Sequence, residues 1–254
     1  MNINHIGLSV LSLYKRLSQK SVDIDEMKVV NSAISHEGWE ELVQQYVSPE
    51  GKVNYRGFAQ ARPRLQQYLQ LLSDNPPHPD TWTEKQQLAY WINAYNAFTV
   101  ELILQHYPTQ SIQDIAGSIP MINSAWDLKF FKIGGVDFDL NTIEHEILRK
   151  QFSEPRIHFA INCASVSCPI LLNEAYKAAT LEAQLQARAI YFINNPQKNR
   201  IQAQELQLSS IFNWFEKDFT KTGTVVAFIN QFSELPIDPT AKVSYLEYDW
   251  NLNE

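Results

Sequence analysis

A single helix-rich α+β domain with a small, mostly antiparallel sheet is what this 254-residue sequence predicts. Three observations lead there. Segments with apolar residues at helical spacing dominate, above all Thr83 to His106. Two β-like stretches follow in the middle of the chain, Lys129 to Phe138 and Arg156 to Asn162. Val243 to Trp250 near the end alternates like another strand. Helices with a few strands gathered in the middle and at the end read as α+β.

Taken in order, residues 1–36 form a weakly patterned, partly helical leader. Glu37 to Val47 predicts a helix, with Trp39, Leu42, Val43 and Tyr46 at helical spacing. Ser48-Pro49-Glu50-Gly51 predicts a turn into a short strand, Lys52 to Tyr55. Phe58 to Leu72 predicts a second helix, stopped by Pro76-Pro77-His78-Pro79. The long helix begins behind Thr83, a residue with N-cap chemistry, and stops before Pro108. Gly134-Gly135 between apolar pairs predicts a hairpin. Its second strand runs into a helix, Asn141 to Lys150. Leu181 to Asn194 and Leu206 to Phe219 predict two more helices.

Composition removes several function classes. The net charge of −7 argues against a nucleic-acid partner, which would select a basic stripe. No apolar stretch approaches the roughly 20 residues that span a bilayer. The run Ile6 to Leu13 has its basic residues after it, the reverse of a secretory signal, so a cytoplasmic location is expected. Two cysteines are too few for a disulfide framework.

Those two cysteines carry the candidate chemistry. Cys163 ends the β-like run, Ala164-Ser165-Val166-Ser167 follow, and Cys168 precedes Pro169. Small polar residues after Cys163 suit a turn or helix start, whose N–H groups would acidify a thiol and cradle an oxyanion. Cys168, before proline, is expected in a non-helical connection at the rim. Strand alternation puts Cys163 with Phe159 and Ile161 on one face and His158 on the other, so His158 reads as structural. In the helix from Asn141, about 100° per residue puts Glu144 near the centre of an apolar arc and His145 at its margin. Asn141-x-x-Glu144 also reads as a capping box. On the long helix, Asn93, Ala97 and Glu101 form a stripe with Asn96 beside it, fitting either a structural network or substrate positioning.

Several blocks carry a family resemblance: Gly51 to Tyr55, Tyr90 to Ala97, Ile143 to Arg149, Arg156 to Pro169, and Ser210 to Phe215. Through them the chain resembles the bacterial DUF547 family, a domain of unknown function, from about Trp39 to Phe219, with the domain itself expected over residues 37–254. The family distantly resembles papain-like and transglutaminase-like thiol enzymes. That resemblance implies such a core, with Cys163 as nucleophile, His145 as general base and Glu144 or an asparagine as orienting group. It places Asn93, Asn96, Cys168 and His158 as substrate-binding residues. The expected activity is hydrolysis or acyl transfer on a peptide, amide or thioester bond, with a peptide or small-molecule thiol or amide as partner. No cofactor, metal, nucleic acid or membrane enters this reading. Two alternatives stay open: a Cys163, Cys168, His145 and His158 zinc set, and a non-catalytic peptide or small-thiol binding module.

Overall fold

The computed structural model describes residues 32–117 and 124–254. The expected leader therefore falls outside the described residues, apart from residues 32–36. Helices α1 (Glu37–Tyr46), α2 (Tyr55–Gln60) and α3 (Arg62–Asp74) precede the long α4 (Glu84–His106) and the short α5 (Gln113–Gly117). The hairpin of β1 (Phe131–Ile133) and β2 (Val136–Phe138) leads into a π-helical segment, Thr142–Leu148, and a helical turn, Arg149–Gln151. A 3-10 helix, Pro155–Phe159, and α6 (Leu181–Asn194) follow. The last part holds β3 (Arg200–Ile201), β4 (Glu205–Leu208), α7 (Ile211–Trp214), α8 (Glu216–Phe219), α9 (Val225–Ile229) and β5 (Lys242–Tyr245). The architecture is helix-rich α+β. The hairpin is antiparallel, and a second sheet has the order β3-β4-β5, antiparallel and then parallel.

Helix α4 is the spine of the molecule. Every residue from Leu88 to Leu104 is buried, as expected of a helix that is apolar on all sides. The Thr83 side chain accepts from the Gln86 N–H and the Gln86 side chain returns to the Thr83 N–H, a complete capping box. One apolar cluster gathers α1 to α4 with the hairpin and the π-helical segment. A second joins Phe159, α6, β4 and α7 to α9, with Phe159, Phe212, Phe219 and Phe228 in mutual ring contact. Residues 155–164 pass between the two: Ile157, Ala160, Ile161 and Ala164 belong to the first, Phe159 to the second.

Five local expectations change. Lys52 to Tyr55 is no strand; Val53 makes only an isolated bridge to Val47, and Asn54 caps a helix starting at Tyr55 by accepting from the Gly57 N–H. The predicted helix Phe58 to Leu72 is two helices meeting at Ala61, with Pro63 in the first turn of the second, where a missing N–H costs nothing. Arg156 to Asn162 is a 3-10 turn followed by irregular chain, because Pro155 opens it and the Glu154 carboxylate accepts from the Arg156 N–H. Leu206 to Phe219 begins as β4 and turns at Ser209, whose N–H donates to Asn199 Oδ1. The tail is a strand only to Tyr245, edge-paired with β4.

Gly51 adopts φ +84°, and a Cβ there would lie 2.2 Å from Ile170 Cβ, just after the Cys163–Pro169 loop. Both the backbone conformation and the close approach require glycine. Gly51→Ala is expected to lower stability by roughly 1–3 kcal/mol, read as a fall in the denaturant midpoint at unchanged slope.

Candidate active site

The backbone on either side of Ile161 is held by Asn96 of α4. Its side-chain amide donates to the Ala160 carbonyl at 3.0 Å and its carbonyl oxygen accepts from the Asn162 N–H at 2.8 Å. Asn162 in turn closes the cysteine loop, donating to the Pro169 carbonyl at 2.7 Å and accepting from the Ala164 N–H at 2.9 Å. Ala164 takes φ 62°, a strained conformation for a residue with a side chain, directly after Cys163. No helix follows Cys163. The chain bends and turns, and the C-terminal residues strap it down: Val166 and Ser167 N–H donate to the carbonyls of Asn251 and Asp249, and the Asn253 N–H donates to that of Ala164.

Cys163 is half-buried in a pocket of about 180 Å³ at the seam between the two clusters. Glu144, His145, His158 and Cys168 line the same pocket, with Tyr248 and Trp250 supplied by the C-terminal strap. Sγ of Cys163 lies 3.2 Å from Ser165 Oγ and 3.3 Å from the Tyr248 hydroxyl. Burial raises the thiol pKa, but hydrogen bonds from the side chains of Cys168, Ser165 and Tyr248 and from the Ser165 backbone reverse this and bring it down to about 7. Cys168 is buried, accepts the Cys163 N–H at 2.8 Å, and its thiol is pushed well up by burial and by its neighbour. The two thiols are thus unequal, with Cys163 the more acidic. Cys168 sits in the interior, not at the rim.

Glu144 and His145 both reach the pocket because their segment is π-helical: the Arg149 N–H donates five residues back to the Glu144 carbonyl. The wider winding replaces the regular helical rotation, which separated the two residues. Asn141 and Glu144 form no capping box. The Thr142 N–H donates to Asp139 Oδ1, and Asn141 binds Asp127 instead. The Glu144 carboxyl is buried with the Tyr95 hydroxyl at 3.3 Å as donor. Burial, then the charge of Cys163, raises its pKa to about 7, against the Tyr95 bond.

The imidazoles differ in wiring. Arg149 donates to His145 Nδ1 at 2.8 Å, so that nitrogen is an acceptor and Nε2 carries the proton. Burial and the Arg149 charge lower the His145 pKa. A nitrogen already holding a guanidinium proton is a poor base for a thiol. His158 instead gives Nε2–H to Asp218 at 2.8 Å, and its Nδ1 has no hydrogen-bond partner among the described residues. Burial lowers its pKa while Asp218 opposes the shift. Asp218 also accepts from Arg149 at 2.6 Å; burial raises its pKa, but these two partners carry it well below the carboxylate range.

Strand alternation therefore misplaced His158, since the segment is 3-10 and not extended. Asn93 and Asn96 do not line the pocket. Asn93 is engaged with both backbone groups of Tyr176, and Glu101 pairs with Arg62. Among the described residues, no group of three or more His, Cys, Asp or Glu side chains could hold a metal ion, so the four zinc candidates do not converge as ligands. Of the N–H groups after Cys163, Ala164 is bound to Asn162 and Val166 and Ser167 to the strap, which leaves the Ser165 N–H as the one that faces the sulfur. Sequence reasoning missed Arg149, Asp218 and Tyr248. Arg149 ended a family block and Asp218 followed another within three residues, but Tyr248 carried no local signal.

A family model, described as protein of unknown function DUF547, matches residues 79–193. That stretch runs from just before α4 through the cysteine loop to α6, and over it the chain is similar to the DUF547 family. The Gly51 and Ser210 blocks lie outside it. No curated protein and no solved structure matches the chain. Among the described residues no helix is long and apolar enough to cross a membrane.

Tyr248→Phe removes one donor to the thiol. The pH midpoint of Cys163 alkylation by iodoacetamide is expected to rise by roughly 1 unit, measured by peptide mass spectrometry across pH 5–9.

Proposed function

We propose that this protein is a thiol enzyme that hydrolyses or transfers acyl groups from an amide, peptide or thioester, with Cys163 as nucleophile. The observation that carries the reading is a thiol brought to about 7 in a small pocket shared with Glu144, His145 and His158. Perturbed groups gathered in one cleft are the mark of a functional site. The finer kinship, with papain-like and transglutaminase-like enzymes, belongs to the same proposal; Cys163 here does not open a helix as it would in those enzymes.

In this reading the thiolate attacks the carbonyl carbon. The S–C bond forms as the carbonyl electron pair moves onto oxygen, next to the side-chain donors Nε2–H of His145 and O–H of Tyr248. Collapse expels the leaving group, which takes its proton from the neutral Glu144 carboxyl. His158, with Nε2–H held by Asp218, accepts a proton at Nδ1 from the incoming water or acceptor, which then displaces the thiolate, and that proton passes from His158 to the Glu144 carboxylate to restore the starting state. The base is thus His158 in place of His145, whose part is to donate.

Intact-mass measurement with p-nitrophenyl acetate tests this directly. A one-acetyl adduct is expected on wild type, absent from Cys163→Ser, and cleared with time. A stable adduct that never clears supports the binding-module alternative; no adduct on Cys163 ends the reading.

The pH dependence has a worked sign. Reaction requires Cys163 deprotonated, which grows as pH rises through about 7, and Glu144 protonated, which is lost over the same range. A narrow bell in kcat/KM centred near 7 follows. In Glu144→Gln the rate should fall by about 10²–10⁴ and the alkaline limb should flatten, as read from hydrolysis of an anilide, whose amine leaving group needs the proton, between pH 5 and 9.

A further inference from the structure

The walls of the pocket say what kind of acyl group it takes. Trp250 is a hub: its ring lies 5.7 Å from Trp214 in a stacked arrangement, 5.8 Å from Trp126 edge to face, and 4.5 Å from Tyr248. All four line the cavity that contains Cys163. Trp214 is 46% exposed although it packs on Trp250 and Tyr248, so a large apolar face stays open beside the pocket. Ile161 and Ile211 are buried in the lining, so the apolar character continues inward from the rings.

Size then limits the occupant. A cavity of about 150 Å³ holds one benzene ring, and this one is about 180 Å³. An aromatic wall of this size matches a planar ring or a short branched chain, through offset and edge-to-face contacts. The pocket opens to solvent, so a long acyl tail would run out past the rings and gain little from them. A charged acyl group would lose its hydration there with no free counter-charge, because Arg149 and Asp218 already neutralise each other.

Building on the thiol-enzyme reading, we propose that the pocket selects an acyl donor whose acyl group is uncharged and ring-sized, seated against Trp126, Trp214 and Trp250 with its carbonyl at Cys163. The acyl-transfer step is the one balanced above; only the identity of the acyl group is added.

The test compares kcat/KM for p-nitrophenyl esters of acetate, isobutyrate, phenylacetate and dodecanoate. Phenylacetate and isobutyrate are expected to exceed acetate by about tenfold or more, with dodecanoate below acetate. Trp214→Ala, with folding checked by its circular dichroism and denaturant midpoint, should shrink the phenylacetate advantage. As a readout independent of turnover, phenylacetamide should quench the tryptophan fluorescence of Cys163→Ser saturably, and dodecanamide should not. Acylation of Cys163 that is flat or rises with chain length, or quenching by both amides alike, overturns the inference and leaves the thiol-enzyme reading standing. Absence of any Cys163 acylation, with phenylacetamide still binding, removes that reading and retains the pocket's selectivity for ring-sized groups.

Discussion

The site depends on one buried carboxamide. Asn96 holds the backbone on both sides of Ile161, and the segment it holds joins the two apolar clusters and carries Cys163. Its two hydrogen bonds are buried, so losing either leaves a backbone group without water or protein to satisfy it, a cost of about 1–3 kcal/mol. Asn162 extends the same device one residue on, closing the loop onto Pro169 and tolerating the left-handed Ala164. The thiol is therefore placed by asparagines that never touch it.

Around this fixed point the charges are arranged so that few are free. Asp218 binds both Arg149 and His158, and Arg149 also occupies His145. One carboxylate thus sets the tautomers of two imidazoles. Glu144, by contrast, has only the Tyr95 hydroxyl, and shares its surroundings with Cys163. Two groups that both change protonation near neutrality, each discouraging the other's negative charge, behave as one coupled pair. The hydrogen bonds to Sγ favour putting the first negative charge on sulfur.

The C-terminal strap gives the pocket its remaining character. Ser165 bridges to Leu252, and Tyr55 donates to Asn253, so residues far apart in sequence tie the strap to the cysteine loop and to α2. In doing so it delivers Tyr248 to the thiol and Trp250 to the aromatic wall. An element with little regular structure of its own thus completes both the chemistry and the shape of the site.

Helix α4 with its Thr83 cap, the Gly134-Gly135 hairpin and α6 were legible in the chain because each is encoded locally: a capping residue, a turn dipeptide, an apolar period. The grouping of Cys163, Cys168, Glu144 and His145 was legible too, from rare residue types in family-like blocks. What only the tertiary structure decided was how those groups are wired. A buried 3-10 turn looks β-like in composition, since both are apolar, so His158 could be oriented only by the packing of Phe215 and the bond to Asp218. Asn96 and Asn93 present the same polar stripe whether they serve a ligand or the backbone, and only the chain folded against α4 distinguishes the two. Tyr248 meets Cys163 across 85 residues of sequence. No local pattern encodes such a contact, because its energy comes from the strap's backbone pairing and not from any period in the residues around it.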